Sequence, residues 1–572
     1  MNIFQYFKCE FTDMLAEFIG QGLLPENLDA KRVVFELPRD ASHGDLATNA
    51  AMILAKPAQK SPRSLAVMFA TELEKIDGVT GVQIAGPGFI NLSVLPILWA
   101  RHIIDIIKAD IQYGQSQIGA GATVNVEFVS ANPTGPLHAA HARGAVFGDA
   151  LASLMQFCGW SVTREYYIND AGGQVDVLAR SAYLRYCEAL GQDIGDIPAG
   201  LYPGDYLKDV GKAFAILAGE RYLNRPEAEW LDELRHFSIQ SIMDVIKQDL
   251  IALGINIDVF SSERSLVESG AVQHAIDKLQ AAGHLYTGVL APPKGKEPED
   301  WEPREQLLFK ASEFGDDIDR PLQKSDGSWT YFAADVAYHL NKLERTKGQL
   351  INIFGADHGG YVKRMNAAVT ALSGEEDMLD IKLCQLVNLL DKGKPVKMSK
   401  RAGTFVTVSD VIHAVGADVI RFMMLTRRND QTIDFDFSKV TEQSRDNPVF
   451  YVQYAHARAC SVLRQREAPD QADLSLLHAG AELAVLKQLA SWPKIVESAA
   501  LAHEPHRVAF YLVDLAGYFH SLWNAGREDP SLRFIVENDQ AVTSARLMLV
   551  KATGFVIRTG LNMLSISALE EM

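Results

Sequence analysis

Two histidines follow a strand-like run and a turn rich in proline and glycine. The run of residues 124–129 predicts a strand. The turn that separates this run from His138 and His141 contains Pro133, Thr134, Gly135, Pro136 and Leu137. A helix that begins here would offer free backbone N–H groups, which bind phosphate. Because the histidines are three residues apart, we expect them on one helix face, where they suit an anionic, oxygen-rich transition state.

Two other interpretations of this histidine pair stay open. Histidines at this spacing also bind metals, but the His-Glu-x-x-His pattern is absent and no cysteine or carboxylate stands at ligand spacing. The pair is equally consistent with surface or helix-capping histidines. The motif alone therefore does not decide between chemistry and structure.

A basic segment lies about 260 residues later, at positions 393–403. It is bounded by glycine and proline and carries Lys394, Lys397, Lys400 and Arg401. Ammonium groups at this density would stabilise the negative charge of a departing polyphosphate. Considered alone, the segment also fits an exposed basic loop.

The composition is that of an ordinary globular protein, with 572 residues of which 48% are apolar and 22% charged. At about 150 residues per domain, the length suggests three or four domains. The net charge of −17 disfavours a DNA coat or a polybasic membrane binder, although it permits a local basic patch. We see no signal peptide and no window of about 18 uncharged apolar residues. These features predict a soluble cytoplasmic protein.

The cysteines do not form a recognisable metal or disulfide pattern. Their number is odd and no Cys-x-x-Cys pair occurs, which disfavours a secreted disulfide framework and a zinc ribbon. We expect buried free thiols in a reducing compartment at Cys9, Cys158, Cys187, Cys384 and Cys460.

Three regions differ in their periodicity. Residues 1–113 mix helical patterns with strand-like runs at 33–37 and 88–93, which predicts a small α+β domain. Residues 114–445 alternate strands with helices, which predicts a Rossmann-type parallel sheet, interrupted by a mostly helical insertion at about 171–285. Residues 446–572 show helical spacing only, which predicts an all-α bundle.

The middle region also gives specific element predictions. Strands are expected at residues 124–129, 161–168, 350–354 and 383–390, a helix at 146–158, and a loop at 292–305. The carboxyl ends of such parallel strands form the usual ligand site of this architecture.

The two motifs together, His-x-x-His and Lys-Met-Ser-Lys, resemble the signatures of class I aminoacyl-tRNA synthetases. Other segments are similar to the arginyl-tRNA synthetases in particular. They are residues 127–138, 167–174, 202–206, 326–337, 355–361 and 447–458, and His43-Gly44-Asp45 with Thr48 and Asn49 in the N-terminal region. The resemblance spans the chain in order.

This resemblance implies a function and a set of roles. The family joins arginine to tRNA(Arg) through an adenylate made from ATP with Mg²⁺, and its first step usually needs bound tRNA. The implied catalytic residues are His138, His141, Lys397 and Lys400. The implied ATP-binding residues are Pro133, Thr134, Gly135, Pro136, Leu137, His138, Ala140, His141, Gly355, Asp357, Met398, Ser399 and Lys400. The implied arginine-binding residues are Glu127, Ser130, Asn132, Tyr331, Asp335 and His358.

The pairing of Tyr331 with Asp335 also makes chemical sense. The two are four residues apart and therefore share one helix face. A carboxylate accepts two N–H groups of a guanidinium in a geometry that lysine cannot match. Without the family resemblance, such a pair would be read as a helix-surface pair.

The chain departs from the family pattern at two positions. Ala140 replaces the usual glycine of the histidine signature, and its methyl group would either crowd ATP or be absorbed by a small shift. His358 stands where many relatives carry glutamine, which makes its role less secure.

The implied partners are tRNA(Arg), arginine and ATP, with no membrane, no DNA, no protein-bound metal and a monomeric state. Candidate tRNA-binding residues are Arg427, Arg428, Tyr451, Tyr454 and Arg458. Core packing of the tyrosines and a solvated turn at the arginines are the plainer alternatives. The competing functions are a class I synthetase for another amino acid, a tRNA-independent adenylate-forming ligase, and a catalytically weakened paralogue that only binds tRNA.

Overall fold

The computed structural model describes residues 2–38, 40–290, 305–324, 326–396, 406–444 and 446–572. Within these ranges, a small antiparallel sheet, a five-stranded parallel sheet and a helical bundle follow one another along the chain. This arrangement confirms the predicted fold class. The predicted loop at 292–305 lies almost entirely outside the described residues.

The N-terminal region builds a four-stranded antiparallel sheet of order β1-β2-β4-β3, flanked by helices. Its elements are α1 (Ile3–Gly20), β1 (Phe35–Glu36), β2 (Leu46–Thr48), α2 (Ala50–Leu54), α3 (Pro62–Leu73), β3 (Val79–Ala85), β4 (Phe89–Val94), α4 (Pro96–Ala100) and α5 (His102–Ala109). The strand predicted at 88–93 is confirmed, whereas the one predicted at 33–37 is reduced to two residues. The strands β2 and β3 were not predicted from the sequence.

The middle region is built on a parallel sheet of order β12-β11-β5-β6-β7. The first half of its elements are β5 (Thr123–Glu127), α6 (His141–Phe157), β6 (Ser161–Ile168), α7 (Gln174–Ala189), α8 (Tyr206–Ala218), α9 (Glu227–Ala252), β7 (Val259–Ser262), α10 (Glu263–Glu268), α11 (Ala271–Ala281) and β8 (Leu285–Gly288). The second half are β9 (Gln306–Phe309), β10 (Arg320–Pro321), α12 (Tyr331–Thr346), β11 (Gln349–Gly355), α13 (Val362–Ser373), β12 (Leu379–Cys384), β13 (Val387–Asp391), β14 (Lys394–Pro395), α14 (Val408–Val415), α15 (Ala417–Met424), β15 (Ile433–Asp436) and α16 (Phe437–Val440). Two small sheets, β10-β9-β8 and β14-β13-β15, flank the parallel one.

The structure corrects three predictions in this region. The mostly helical insertion predicted at about 171–285 ends earlier, because β7 lies within that segment and pairs with β6 in the parallel sheet. The strand predicted at 383–390 is two strands, since the chain leaves the parallel sheet after β12 and enters the small sheet at β13. The helix predicted at 146–158 begins earlier, at His141. The strands predicted at 161–168 and 350–354 are confirmed.

The C-terminal region is helical throughout the residues that the structure describes. Its helices are α17 (Pro448–Gln465), α18 (Gly480–Ala502), α19 (His506–Glu528) and α20 (Gln540–Met563). They pack as a bundle in which α18 lies against α19 and α17 lies against α20. This confirms the predicted all-α region.

One hydrophobic core connects the three regions. At the first junction, the Trp492 indole in α18 donates a 2.9 Å hydrogen bond to the Tyr113 carbonyl. Gly114 lies beside this indole with a φ of +89°, and a Cβ there would meet Trp492 Nε1 at 2.5 Å, so only glycine fits. Deeper in the molecule, the fully buried Arg421 donates to the carbonyls of Leu253 and Leu564.

The cysteines follow the prediction with one exception. Cys158, Cys187 and Cys384 are buried, Cys460 is half-buried, and all are free thiols. Cys9 is also free but exposed, so the expectation that it is buried was wrong.

Candidate active site

The predicted histidines lie in the turn that joins β5 to α6. The chain reverses after Glu127 through two left-handed residues, Val129 (φ +69°) and Ser130 (φ +41°). The helix begins only at His141, so the expectation that both histidines share a helix face was wrong. Their imidazoles nevertheless lie side by side, because the turn brings the ring centroids to 3.7 Å with an interplanar angle of 26°.

The protonation of His141 follows from its hydrogen bond. The backbone N–H of His138 donates to His141 Nδ1 at 3.2 Å. Since Nδ1 is the acceptor, the proton of the neutral ring is on Nε2. The same ring therefore presents an N–H donor on its other edge.

The histidines line a cavity of about 330 Å³ together with segments that are distant in sequence. Its lining residues are Asn132, Thr134, Gly135, Pro136, His138, His141, Gln174, Tyr202, Pro203, Gly204 and Tyr206. The Tyr206 hydroxyl donates a 2.6 Å hydrogen bond to the Thr134 carbonyl and fixes one wall. Gly135 lies against the same ring, which a Cβ would approach to 3.2 Å. The turn and the segment 202–206 therefore form one site.

The basic segment is connected to the histidine turn at its far end. Lys397, Met398, Ser399 and Lys400 lie outside the described residues. Where the description resumes, Ala139 N–H donates to the Val406 carbonyl at 3.0 Å and Val408 N–H donates to the Leu137 carbonyl at 2.8 Å. The chain that leaves the basic segment is thus hydrogen-bonded directly to the turn that carries His138.

A second predicted site lies around Asp335, a half-buried carboxylate on α12. Asp335 accepts a hydrogen bond from the Tyr361 hydroxyl. Its pKa is raised well above the ordinary value, first by burial and then by the negative charges of Glu263 and Glu127. Tyr331 is the first residue of the same helix, but its side chain is 67% exposed and is not packed on Asp335.

The remaining predicted residues divide between the interior and the surface of the sheet edge. Glu127 is buried, and its Oε1 accepts a 3.0 Å hydrogen bond from Ser130 Oγ. Asn132 is exposed in the cavity beside the histidines. Gly355 ends β11, and Asp357 and His358 lie exposed in the short 3-10 helix that follows it.

The candidate tRNA-binding residues of α17 lie together in an open groove of about 840 Å³. Arg458 Nη1 lies 2.7 Å from His520 Nδ1, and its Nη2 donates to the Tyr454 hydroxyl at 3.0 Å. The guanidinium also lies over the Tyr454 ring, 4.5 Å from its centroid. Tyr451 packs on the other side, with its ring 4.5 Å from that of His520.

The other two candidate arginines lie on a separate segment, between α15 and β15. Both are exposed, and Arg428 forms a 3.1 Å ion pair with Asp430. The Arg428 carbonyl accepts a 2.7 Å hydrogen bond from the buried Arg143 of α6. This segment is therefore fixed to the helix that begins at His141.

Comparisons with known proteins match all three regions. Residues 5–94 match the arginyl tRNA synthetase N terminal domain, residues 102–436 the catalytic domain of tRNA synthetases class I (R), and residues 452–572 the DALR anticodon binding domain. The arginine–tRNA ligase of Roseobacter denitrificans is 55% identical over 581 residues, with both chains covered in full. The arginine–tRNA ligase of Xanthobacter autotrophicus is 54% identical over 586 residues, again with both chains covered in full.

The chain belongs to the arginyl-tRNA synthetase family. It is therefore a class I aminoacyl-tRNA synthetase, an enzyme of the ligase class. The arginyl-tRNA synthetase structures of Thermus thermophilus and Plasmodium falciparum share its fold, with TM-scores of 0.73 and 0.71 at 20% and 14% identity. They cover 100% of this chain, and this chain covers 100% and 99% of theirs.

Two buried residues beside the predicted arginine-binding residues were not predicted from the sequence. Glu263, at the start of α10, is buried, and its Oε2 has no hydrogen-bond partner within the described parts of the chain. Lys342, in α12, is fully buried against Glu127. A Ser-Ser-Glu-Arg sequence and a mid-helix lysine carry no motif signal, and only the end of β7 and the inner face of α12 bring them to the site.

No membrane-spanning candidate occurs in the described ranges, where no helix is both long enough and apolar enough. Across the same residues, no group of three or more His, Cys, Asp or Glu side chains is arranged to hold a metal ion.

Ala140, the departure from the family pattern, has ordinary helical dihedral angles and an exposed side chain. The backbone itself therefore does not need glycine here. If the adenine ring packs against this residue, Ala140→Gly should lower the KM for ATP about fivefold, because one surplus methyl costs on the order of 1 kcal/mol. The KM for arginine should stay constant, and an unchanged KM for ATP would show that the methyl does not contact the nucleotide.

Asp249, in α9, is a buried carboxylate near the histidine turn. Its pKa is raised to about 6 by burial and by the charge of Asp410, while the backbone N–H of Leu137 acts in the opposite direction. Its Oδ2 has no hydrogen-bond partner in the described structure. Ionisation of Asp249 therefore opposes folding: the penalty is absent below the ordinary pKa near 3.8 and complete above about pH 6.

Asp249→Asn should consequently stabilise the protein, because the amide keeps an acceptor for Leu137 and removes the charge. The gain should be at most about 3 kcal/mol at pH 8 and smaller at pH 5, at 1.36 kcal/mol per pKa unit. Thermal unfolding of both proteins at the two pH values measures it. Asp244→Asn, at an exposed position of the same helix, is the control. An equal gain at both pH values would contradict the assignment.

Proposed function

We propose that the protein activates L-arginine with ATP and transfers the arginyl group to tRNA(Arg). The arginine carboxylate attacks the α-phosphate of ATP, so that arginyl-adenylate forms and pyrophosphate leaves. The terminal ribose hydroxyl of tRNA then attacks the acyl carbon and releases AMP. The observation that carries this proposal is a pair of carboxylates, the half-buried Asp335 and the buried Glu263, beside the carboxyl ends of the parallel strands.

The electrostatics of this pair support a guanidinium ligand. Neither carboxylate has a lysine or arginine nitrogen within 4 Å among the described residues, and burial raises the pKa of both. A buried carboxylate without a cation is costly, and a planar guanidinium would supply both the charge and the donors. Tyr167 lies among the same acids, with a pKa raised by burial and by Glu263, Asp335 and Glu127. The site is thus prepared for a cation.

We assign phosphate chemistry to the histidine turn and the basic segment. His138 and His141 would donate to the α-phosphate as it becomes pentacoordinate, and Lys397 and Lys400 would neutralise the pyrophosphate. The hydrogen bonds of Val406 and Val408 to the turn support a site that both segments share. Catalysis would come from positioning and charge stabilisation, as in phosphoryl transfer generally.

The remaining assignments are also proposals. Mg²⁺ would arrive with ATP, held by phosphate oxygens and water, because Mg²⁺ usually retains several waters and few protein ligands. Glu127, Ser130 and Asn132 would bind the α-amino and carboxylate end of arginine, while Tyr331 and His358 would cover the ligand from the exposed side. Gly355, Asp357 and the residues from Pro133 to Leu137 would line the nucleotide site. We further propose a cytoplasmic monomer with domains at 1–113, 114–445 and 446–572 that binds neither DNA nor membranes.

Specific tRNA binding by a protein of net charge −17 requires a localised basic track. We propose that it extends from Lys394 past Arg427 and Arg428 to the groove of Tyr451, Tyr454 and Arg458. The stacked aromatic rings and the guanidinium in this groove are suited to unpaired bases. Binding should weaken with added salt as phosphate contacts are lost.

Charging of tRNA with each amino acid in turn tests the proposal. We expect arginine to be the substrate, and arginine-dependent pyrophosphate exchange to be far faster with tRNA than without it. Charging with lysine or glutamate but not arginine would overturn the specificity. Folded protein that binds tRNA but charges none of the amino acids would instead identify an inactive paralogue.

A further inference from the structure

The side chain of Lys342 is completely buried between the parallel sheet and α12. Its Nζ donates to Glu127 Oε2 at 2.8 Å and to Asn352 Oδ1 at 2.6 Å. The strand register explains this contact, because Asn352 in β11 and Glu127 in β5 are direct neighbours in the sheet. An ammonium group is buried only when it is paired, and Lys342 therefore forms a fixed part of this interior.

A chain of hydrogen bonds leads from Lys342 through Asn352 and His339 to the backbone carbonyl of Asp335 in α12. Asn352 Nδ2 lies 2.8 Å from His339 Nε2, and His339 Nδ1 lies 2.7 Å from the Asp335 carbonyl. A carbonyl only accepts, so the imidazole proton is on Nδ1 and Nε2 accepts from the Asn352 amide. Asn352 Oδ1 then faces Lys342, as observed.

The protonation of His339 supports this assignment. Burial, and secondarily the charge of Lys342, lower the pKa of His339 to about 3. The ring is therefore neutral at physiological pH, which leaves one donor and one acceptor nitrogen. Each hydrogen bond of this series therefore has only one possible donor and one possible acceptor. At the other end of the series, Lys342 donates to Glu127.

The neighbouring buried acid, Glu165, also interacts with Lys342, whose charge helps to lower the pKa of Glu165 against the opposing effect of burial. Glu165 lies on the other side of Glu127 in the sheet, and Arg345 Nη2 contacts its two oxygens at 2.7 and 3.0 Å. Glu165 also accepts hydrogen bonds from Asn125 and Ser261. The carboxylate that Lys342 contacts directly is that of Glu127, whereas Arg345 is the cation in direct contact with Glu165.

Glu127 retains capacity for a further donor. Its Oε1 accepts from Ser130 Oγ, and Ser130 Oγ in turn accepts from Tyr167 N–H at 3.1 Å. A carboxylate has about four lone-pair positions, of which Lys342 and Ser130 occupy two. Glu127 is the last residue of β5, so its remaining lone-pair positions lie at the carboxyl end of the sheet, where ligands bind in this architecture.

We propose that Lys342 is a positioning residue for the amino acid, which holds the Glu127 carboxylate in the orientation that accepts the α-ammonium group of arginine. This inference rests on the proposed role of Glu127. Lys342 does not touch the substrate, because it is fully buried behind the carboxylate. The hydrogen bonds through Asn352 and His339 connect Lys342 to α12 at Asp335, and so link the proposed binding site of the α-amino group to that of the guanidinium.

Lys342→Met tests the proposal through the recognition of the α-amino group. The probe is 5-guanidinopentanoate, which is arginine without that group, used as a competitor of arginine in tRNA charging by the full-length enzyme. We expect the wild type to bind arginine more tightly than the probe, and Lys342→Met to reduce this preference about tenfold or more, as expected for a charge-assisted hydrogen bond of roughly 1.5–3 kcal/mol. Lys342→Arg, which keeps the charge, should restore most of it.

Three further variants separate the possible failures. Tyr338→Phe removes a hydrogen bond to Glu165 in the same interior and should leave the preference unchanged. Equal weakening of arginine and probe by Lys342→Met would show a merely structural role and overturn the inference. If Glu127→Gln leaves the preference intact, the proposed role of Glu127 fails as well. Should Lys342→Met not fold, Lys342→Gln removes the charge but keeps a polar group beside Glu127, and a preference that stays at the wild-type value in this variant would contradict the proposal.

Discussion

Asp335→Asn should reduce kcat/KM for arginine by about 10² to 10³-fold, because an unpaired buried charge costs on the order of 3–5 kcal/mol. The loss should arise mainly in the KM for arginine, since the amide cannot balance the guanidinium charge. The KM for ATP should change little. Initial rates of arginine-dependent pyrophosphate exchange, measured with tRNA present, give kcat/KM for arginine, the KM for arginine and the KM for ATP.

The pH dependence of this step adds a second measurement. Because burial raises the pKa of Asp335, lowering the pH protonates a group that the guanidinium requires in its charged form. The KM for arginine should therefore rise as the pH falls in the wild type, and this dependence should be weaker in Asp335→Asn. Glu263→Gln should show a similar loss of arginine affinity.

The control for these carboxylate variants is Glu344→Gln, on the same helix but exposed, where it pairs with His274. It removes one negative charge from α12 without reaching the site, and its kinetic constants should match those of the wild type. A wild-type KM for arginine in Asp335→Asn would exclude Asp335 from guanidinium recognition.

His141→Ala should lower kcat for arginyl-adenylate formation by about 10² to 10³-fold, the usual effect of removing one donor to transition-state charge. The KM for arginine should stay within about threefold, because the imidazole acts on phosphate and not on the amino acid. Single-turnover formation of the adenylate with tRNA present isolates this step from transfer.

The stacking of the two imidazoles predicts that their effects are not additive. His138→Ala removes the ring that packs against His141 at 3.7 Å, so each single variant should already disturb both groups. The kcat of the double variant should be only slightly lower than that of the less active single variant. His413→Ala, an exposed histidine of α14, is the control. Fully multiplicative losses would indicate that the histidines act independently.

The fold was predictable where the local pattern agrees with the tertiary environment. The strands β5, β6 and β11 are apolar or alternating runs at the centre of the sheet, and the C-terminal helices have long amphipathic repeats. The strand β7 was missed because it is short and half polar, and lies at the edge of the sheet. The strand β2 was missed because its buried Leu46 and Thr48 stand among turn-forming residues.

The site was predictable only as far as its motifs extend. The histidine turn and Asp335 were identified because their neighbours form recognisable strings. Glu263 and Lys342 are single residues whose meaning depends on long-range packing, since Lys342 reaches Glu127 across 215 positions of the chain. The relative position of Tyr331 and Asp335 was equally inaccessible, because a shared helix does not determine which residue the core covers.

Arg421 has a consequence for synthesis on the ribosome. Its guanidinium is buried, and one of its acceptors, the Leu564 carbonyl, lies 143 residues further along the chain. At about 5–20 residues per second, that acceptor is translated about 7–30 s after the arginine. During this interval the guanidinium of Arg421 lacks one of the acceptors that it has in the folded protein. The interior around Arg421 is therefore completed only after the last helix of the bundle has been made.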